Sequence, residues 1–125
     1  LETEDSRKKA IYRRQSKGKS EVENKRQTEI CKEYLQRKFG ANTENDILFY
    51  EDEPCTGSDI KRPQIQKMLE DIRNGEISTV ISYELKEITR NLSDFLTFQG
   101  ELTEYGVSLI LVERRFGHFR ANRGW

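Results

Sequence analysis

The chain is poor in the residues that build metal centres: it has two cysteines and one histidine. Cys31 and Cys55 show no zinc-type spacing and His118 alone cannot complete a ligand set, which excludes His/Cys metal chemistry and leaves the cysteines as buried or spectator thiols. No run of residues approaches the roughly 20 apolar positions of a bilayer-crossing helix, and the first ten residues lack the apolar centre of a secretory signal. A soluble, cytoplasmic protein with no membrane partner is therefore expected. Net charge is missing too. With 22 basic and 22 acidic residues the formal charge is zero, which excludes a stand-alone nucleic-acid binder built on a strong basic excess. If the chain touches DNA, something else must bring it there.

The 125 residues suit one domain, and the 34% that are hydrophobic are concentrated in a few segments. Residues 1–8 are almost wholly polar and are expected to fray or to be a leftover of expression. A first strand is predicted from Lys9 to Gln15, closed by the loop Ser16-Lys17-Gly18-Lys19-Ser20. Val22, Ile30, Tyr34 and Leu35 recur near helical spacing from Glu21 to Phe39 and stop at Gly40, which predicts an amphipathic helix. Asp46 to Glu51 contains the buried-strand run Ile-Leu-Phe-Tyr, and a turn-rich loop runs from Asp52 to Lys61. Arg62-Pro63 opens a second helix with Ile65, Met68, Leu69 and Ile72 on its core face, and Asn74-Gly75 closes it. A strand from Ile77 to Tyr83, a helix from Leu92 to Tyr105 and a last strand from Val107 to Val112 complete the pattern. This alternation predicts an α/β fold with a mostly parallel central sheet flanked by helices. Sites in such sheets gather at the carboxyl ends of strands, here the loops after residues 15, 51 and 83.

Those loops hold the candidate chemistry. Arg14 and Ser16 lie two apart and project to one side of an extended segment, so a guanidinium stands beside a hydroxyl. Serine needs a base or a positive field to become a nucleophile, and arginine grips phosphate oxygens by paired hydrogen bonds. Arg62 and Arg90, from separate loops, would complete a metal-free phosphoryl-transfer site based on positioning and charge neutralisation. The bland readings stay open: Arg-x-Ser can be a solvated turn, and Arg62 and Arg90 can form surface ion pairs. The loop at 16–20 lacks the Gly-x-x-x-x-Gly-Lys-Ser/Thr spacing of a phosphate-cradling P-loop, which argues against a nucleotide triphosphatase.

Taken in order, several separated segments resemble one family. They are Tyr12-Arg13-Arg14-Gln15-Ser16, Val22 to Gln27, Tyr50-Glu51-Asp52-Glu53, Thr56-Gly57-Ser58, Lys61-Arg62-Pro63, Leu69 to Gly75, Leu85 to Asn91 with Asp94-Phe95, and Tyr105-Gly106-Val107. The chain resembles the catalytic domain of serine site-specific recombinases, the resolvase/invertase superfamily, and most closely that of the large serine recombinases of phages and conjugative transposons. The resemblance spans residues 9–116. It implies that Ser16 attacks a DNA phosphodiester to give a 5′-phosphoserine link and a free 3′-hydroxyl, ready for strand exchange and rejoining. It further implies that Arg14, Arg62 and Arg90 hold the scissile phosphate, that Gln27 supports them, and that no cofactor takes part. Homodimers or homotetramers, with DNA affinity supplied mainly by further C-terminal domains, are the implied partners. Residues 117–125 are then a tail at the start of an oligomerisation helix, although the family's Ser/Thr-Pro-x-Gly stretch is absent from it. His118 is expected to pack or to sit in that tail rather than to shuttle protons.

The chain departs from the family at Lys86-Glu87, where the resemblance implies Asp-Arg. A carboxylate at 87 in place of an arginine would repel a phosphate, and on an extended segment residues 86 and 87 face opposite ways and cannot simply trade roles. A recombinase-like interaction domain with impaired catalysis is therefore one alternative. A flavodoxin-like or receiver-type signalling domain is another, because the same alternation serves many functions. A receiver needs clustered acids at strand ends, and only Glu51 to Glu53 offers them.

Overall fold

The computed structural model describes residues 6–15, 18–54, 61–113 and 118–119. Ser16, Cys55, the Thr56-Gly57-Ser58 segment and the end of the tail lie outside the described residues. Four segments become parallel strands: β1 (Lys8–Arg14), β2 (Ile47–Asp52), β3 (Ile77–Ser82) and β4 (Ser108–Leu111). A two-residue strand, β5 (His118–Phe119), adds antiparallel to β4, where the sequence suggested only a tail. The sheet order is β2-β1-β3-β4-β5. The helices are α1 (Glu21–Phe39), α2 (Thr43–Asp46), α3 (Pro63–Arg73), α4 (Leu85–Ile88) and α5 (Leu92–Glu104).

Because successive strand residues point to opposite faces, the sheet divides the core in two. Ala10 and Tyr12 of β1 join Ile65, Met68, Leu69 and Ile72 of α3 and Phe98 and Leu102 of α5 in the larger cluster. Ile11 joins Ile81, Ile110 and the α1 residues Cys31 and Leu35 on the other face. Both faces of β3 are covered and every one of its residues is buried, as expected of a parallel strand.

Helix α1 begins where Ser20 accepts from the Glu23 amide at 3.0 Å and ends at Gly40, whose φ of 66° suits glycine. Its buried stripe is Gln27, Cys31 and Leu35, spaced four apart. Val22, part of the apolar pattern that suggested the helix, is 76% exposed and lies off that stripe. The stripe follows what β1 and β3 present to it, and one buried position is taken by a glutamine because the site described below needs its amide.

Helix α3 has proline at its first position and Arg62 at its cap, and Arg62 makes no side-chain cap. The cap comes from another element. Asp52, at the end of β2, accepts from the Gln64 amide at 3.0 Å and the Ile65 amide at 3.2 Å. An anion at a helix N-terminus is favoured by both the orphan amides and the helix dipole. Asp52 also accepts from the Tyr12 hydroxyl at 2.8 Å, so one carboxylate ties β1, β2 and α3 together at the carboxyl edge of the sheet.

The segment 85–91 is not extended, as the sequence suggested: Leu85–Ile88 winds into one helical turn before α5. The Glu87 side chain stabilises the turn's start by accepting from the Tyr83 amide at 3.1 Å and the Glu84 amide at 3.3 Å. Lys86 and Glu87 are therefore neighbours on a helical turn rather than opposed on a strand. After this turn, Asn91 caps α5 by accepting from the Asp94 amide at 3.0 Å.

Replacing Asp52 with alanine should cost about 2–3 kcal/mol, because it removes the acceptor of the buried Ile65 amide, the part-buried Gln64 amide and the Tyr12 hydroxyl. Urea denaturation of the two proteins measures it, and a difference under 0.5 kcal/mol, roughly the scale of a neutral surface change, would contradict the capping role.

Candidate active site

Alternation along β1 sends Tyr12 and Arg14 to the α3/α5 face and Arg13 to the α1 face. On the first face, Arg62 is 5% exposed and its guanidinium is directed inward. It donates to the Tyr12 hydroxyl at 2.7 Å, to the Glu87 carbonyl at 2.8 Å and to the Ile88 carbonyl. The guanidinium also stands 5.8 Å from the centre of the Tyr12 ring. Burial, with Asp52 beside it and against the pull of Arg62, pushes the Tyr12 hydroxyl above the ordinary phenol range, so Tyr12 works as a neutral donor to Asp52. Arg14 is also buried and donates to the Lys86 carbonyl at 2.9 Å. Two of the three expected arginines thus converge on one stretch of backbone, the carbonyls of residues 86–88, where the C-terminal end of a turn favours cations. Arg90 follows that turn directly and is exposed.

On the opposite face Arg13 is 1% exposed and all three of its side-chain nitrogens are engaged. Its Nε donates to Glu87 at 2.7 Å and a terminal nitrogen lies 2.5 Å from the same carboxylate oxygen. The remaining donors reach the Asn24 carbonyl and the Thr28 hydroxyl, each at 2.9 Å, and the Gln27 amide oxygen at 2.9 Å. Gln27 is thereby placed as a support for an arginine, but that arginine is Arg13. Lys19 joins from the loop after β1, donating to Gln27 at 2.7 Å and to Glu84 at 2.9 Å.

Glu87, 3% exposed, is consequently not the bare negative charge that the sequence suggested. Arg13 binds one carboxylate oxygen and two backbone amides bind the other. Burial pushes its carboxyl above the usual range, against the opposing pull of Arg13 and Lys19. Burial would also raise Glu84, but Lys19 and Lys86 outweigh it and hold that carboxyl below the usual range. Lys86 has a half-exposed side chain 3.6 Å from Glu84 and keeps a cation at the surface beside the Arg14 anchor.

Arg13, Tyr12, Asp52, Lys19 and Glu84 were not among the residues singled out from sequence. A signal for Arg13 was present. A strand residue out of phase with Arg14 must face the other helical layer, where a buried guanidinium requires an acid. Glu87 is that acid, yet the two residues were not connected, since they lie 74 residues apart in the chain.

Removing either partner of a buried ion pair leaves the other uncompensated, so Arg13→Ala and Glu87→Ala should each destabilise by about 3–5 kcal/mol. The double variant should cost clearly less than their sum in urea denaturation. Additive losses would mean that the pair is not coupled.

Comparison with known proteins agrees with this architecture. The model of the resolvase N-terminal domain matches residues 9–122. A candidate DNA recombinase of Bacillus subtilis (strain 168) is 33% identical over 73 residues, which are 58% of this chain and 15% of that protein. The Tn552 transposon resolvase of Staphylococcus aureus is 38% identical over 58 residues, 46% of this chain and 28% of the resolvase. The chain thus matches less than a third of the length of either curated relative. The crystal structure of the N-terminal catalytic domain of TP901-1 integrase superposes with a TM-score of 0.68 at 27% identity, covering 85% of this chain and 77% of that one. A parallel β2-β1-β3-β4 sheet with its buried arginines gathered at the carboxyl edge, together with a family match over nearly the whole chain, places this protein in the resolvase N-terminal domain family of serine recombinases.

Proposed function

We propose that this chain is the catalytic domain of a site-specific DNA recombinase and that Ser16 is its nucleophile. The observation that carries this reading is the convergence of Arg14 and Arg62 on the backbone of residues 86–88, at the edge where β1 runs out towards Ser16. Gln15, the residue before Ser16, is held there by its amide, which donates to the Asp52 carbonyl at 3.0 Å.

In the proposed reaction the Ser16 oxygen attacks the scissile phosphorus and loses its proton. The bond from phosphorus to the 3′-oxygen breaks, the 3′-oxygen takes up a proton, and a 5′-phosphoserine link remains. After strand exchange a 3′-hydroxyl attacks that link and frees Ser16, so the phosphodiester is restored without a net energy input. Arginines serve this chemistry by neutralising the charge that builds on the phosphate oxygens. Arg90, being exposed, is assigned direct contact with DNA. Arg62, with its guanidinium turned towards Tyr12 and two carbonyls, is assigned to hold the turn that presents Arg90. Arg14 bridges the strand and the turn, and Lys86 adds a surface cation. We further assign residues 9–116 to this catalytic unit and 117–125, the tail whose strand β5 adds to that unit's sheet, to the approach to an oligomerisation helix. DNA affinity and assembly into dimers or tetramers fall to other parts of a longer protein acting in the cytoplasm, in keeping with the zero net charge here.

One observation favours a second reading, a relative that keeps the fold without the chemistry. Where the resemblance implies an arginine, Glu87 is present, with one carboxylate oxygen held by Arg13 and the other by the Tyr83 and Glu84 amides. The signalling alternative draws no support from a site built on arginines.

The test uses the full-length protein with DNA fragments that it selects from its own genome. Protein covalently attached to 5′ ends, absent in Ser16→Ala and reduced by about two orders of magnitude or more in Arg90→Ala, is the expected result. No attachment in the wild type would favour the non-catalytic relative. Restoring Asp-Arg at 86–87 is not a clean rescue, because Glu87→Arg buries a second guanidinium against Arg13. Arg13 must be replaced as well.

A further inference from the structure

Lys19 is not surface decoration. It lies in the loop between β1 and α1, yet its side chain is only 12% exposed and its ammonium sits among three acceptors. These are Gln27 at 2.7 Å, Glu84 at 2.9 Å and Glu87 at 3.9 Å. Ordering a long, flexible lysine costs close to its full rotamer entropy, and this is offset here because one cation serves two carboxylates in a poorly solvated place. Lys19 is the nearer of the two cations beside Glu84, the other being the half-exposed Lys86 at 3.6 Å.

The connectivity shows what this contact does. The loop departs from β1 with Arg14 fixed to the Lys86 carbonyl and the Gln15 amide fixed to the end of β2. It rejoins the fold at Lys19, fixed to Glu84 at the start of the same turn and to Gln27 of α1. Both ends are therefore tied to residues 84–88, the departing end through Arg14 and the returning end through Lys19.

We propose that Lys19 is a positioning residue, which acts through Glu84, Gln27 and the Arg13–Glu87 pair to fix the returning end of the β1–α1 loop against the turn that carries the arginine anchors. Insofar as this concerns cleavage, it rests on the assignment of Ser16 as nucleophile. Lys19 touches no reacting atom in this account. It determines how long the loop keeps its register with the turn.

The experiment has two independent readouts. In the 125-residue chain, Lys19→Met keeps the aliphatic stem and removes the charge. Its heteronuclear 15N NOE at Gly18 and residue 19 should fall, while amides of β1 and β3 stay unchanged. Glu84→Gln, which weakens the same contact from the other side, should loosen the same amides, so the test survives if one variant folds poorly. In the full-length protein, Lys19→Met should slow single-turnover cleavage by about ten- to a hundredfold with unchanged DNA affinity, and Lys19→Arg should recover most of the rate. Unchanged NOE values overturn the proposal whatever the rate. Wild-type cleavage by Lys19→Met, or a loss of DNA affinity that accounts for the slower rate, overturns it too. If wild-type protein forms no covalent link to DNA, the recombinase assignment fails by itself and the NOE alone decides the role of Lys19: a fall upholds it and no change removes it.

Discussion

A guanidinium buried beneath a parallel sheet imposes severe conditions on its surroundings. Arg13 is 1% exposed, and the cost of taking its charge out of water is met only if its donors and its charge are both satisfied. The structure does so from two directions: the first turns of α1 supply Asn24, Gln27 and Thr28, and the turn α4 supplies Glu87. The glutamine on the buried stripe of α1 and the helical winding of Leu85–Ile88 both answer this demand. A looser turn would carry Glu87 away from Arg13.

The α3 side of the sheet repeats the logic with different groups. There Tyr12 passes a hydrogen bond to Asp52 and receives one from Arg62, while Asp52 caps α3. Residues 12 and 13 are consecutive, so the two networks are joined through one peptide unit of β1. They meet again at α4, whose residue 87 gives its carboxylate to Arg13 and its carbonyl to Arg62. This arrangement makes the turn a rigid base at the strand ends, although it has only four residues and little intrinsic helical stability.

What the sequence disclosed followed from punctuation and period. Gly40, Pro63 and Asn74-Gly75 bounded α1 and α3 closely, and Val80-Ile81 and the run Leu109-Ile110-Leu111 marked β3 and β4. The four residues of α4 are too short to show any period, so they read as loop. Val22 was misleading because an apolar residue in the first turn of a helix can extend past the edge of the sheet it packs on. For the site, Arg14 and Arg62 were identified and prove to share an anchor, but their burial was not visible, since exposure depends on partners far away in the chain. Glu87 was recognised as anomalous, and its meaning depended on a contact that only the fold creates. Ser16 remains an assignment from sequence, because it lies outside the described residues.

The Arg13–Glu87 pair also has a historical consequence. A change at either position alone leaves the other charge buried and unpaired, so no single substitution enters or leaves this arrangement cheaply. Lineages that acquired the pair would find both positions locked together, each change being tolerated only in the company of the other. Positions 13 and 87 should therefore vary as one character among descendants of this branch, and a site that looks degraded when one position is inspected can be a neighbouring solution that evolution does not easily leave.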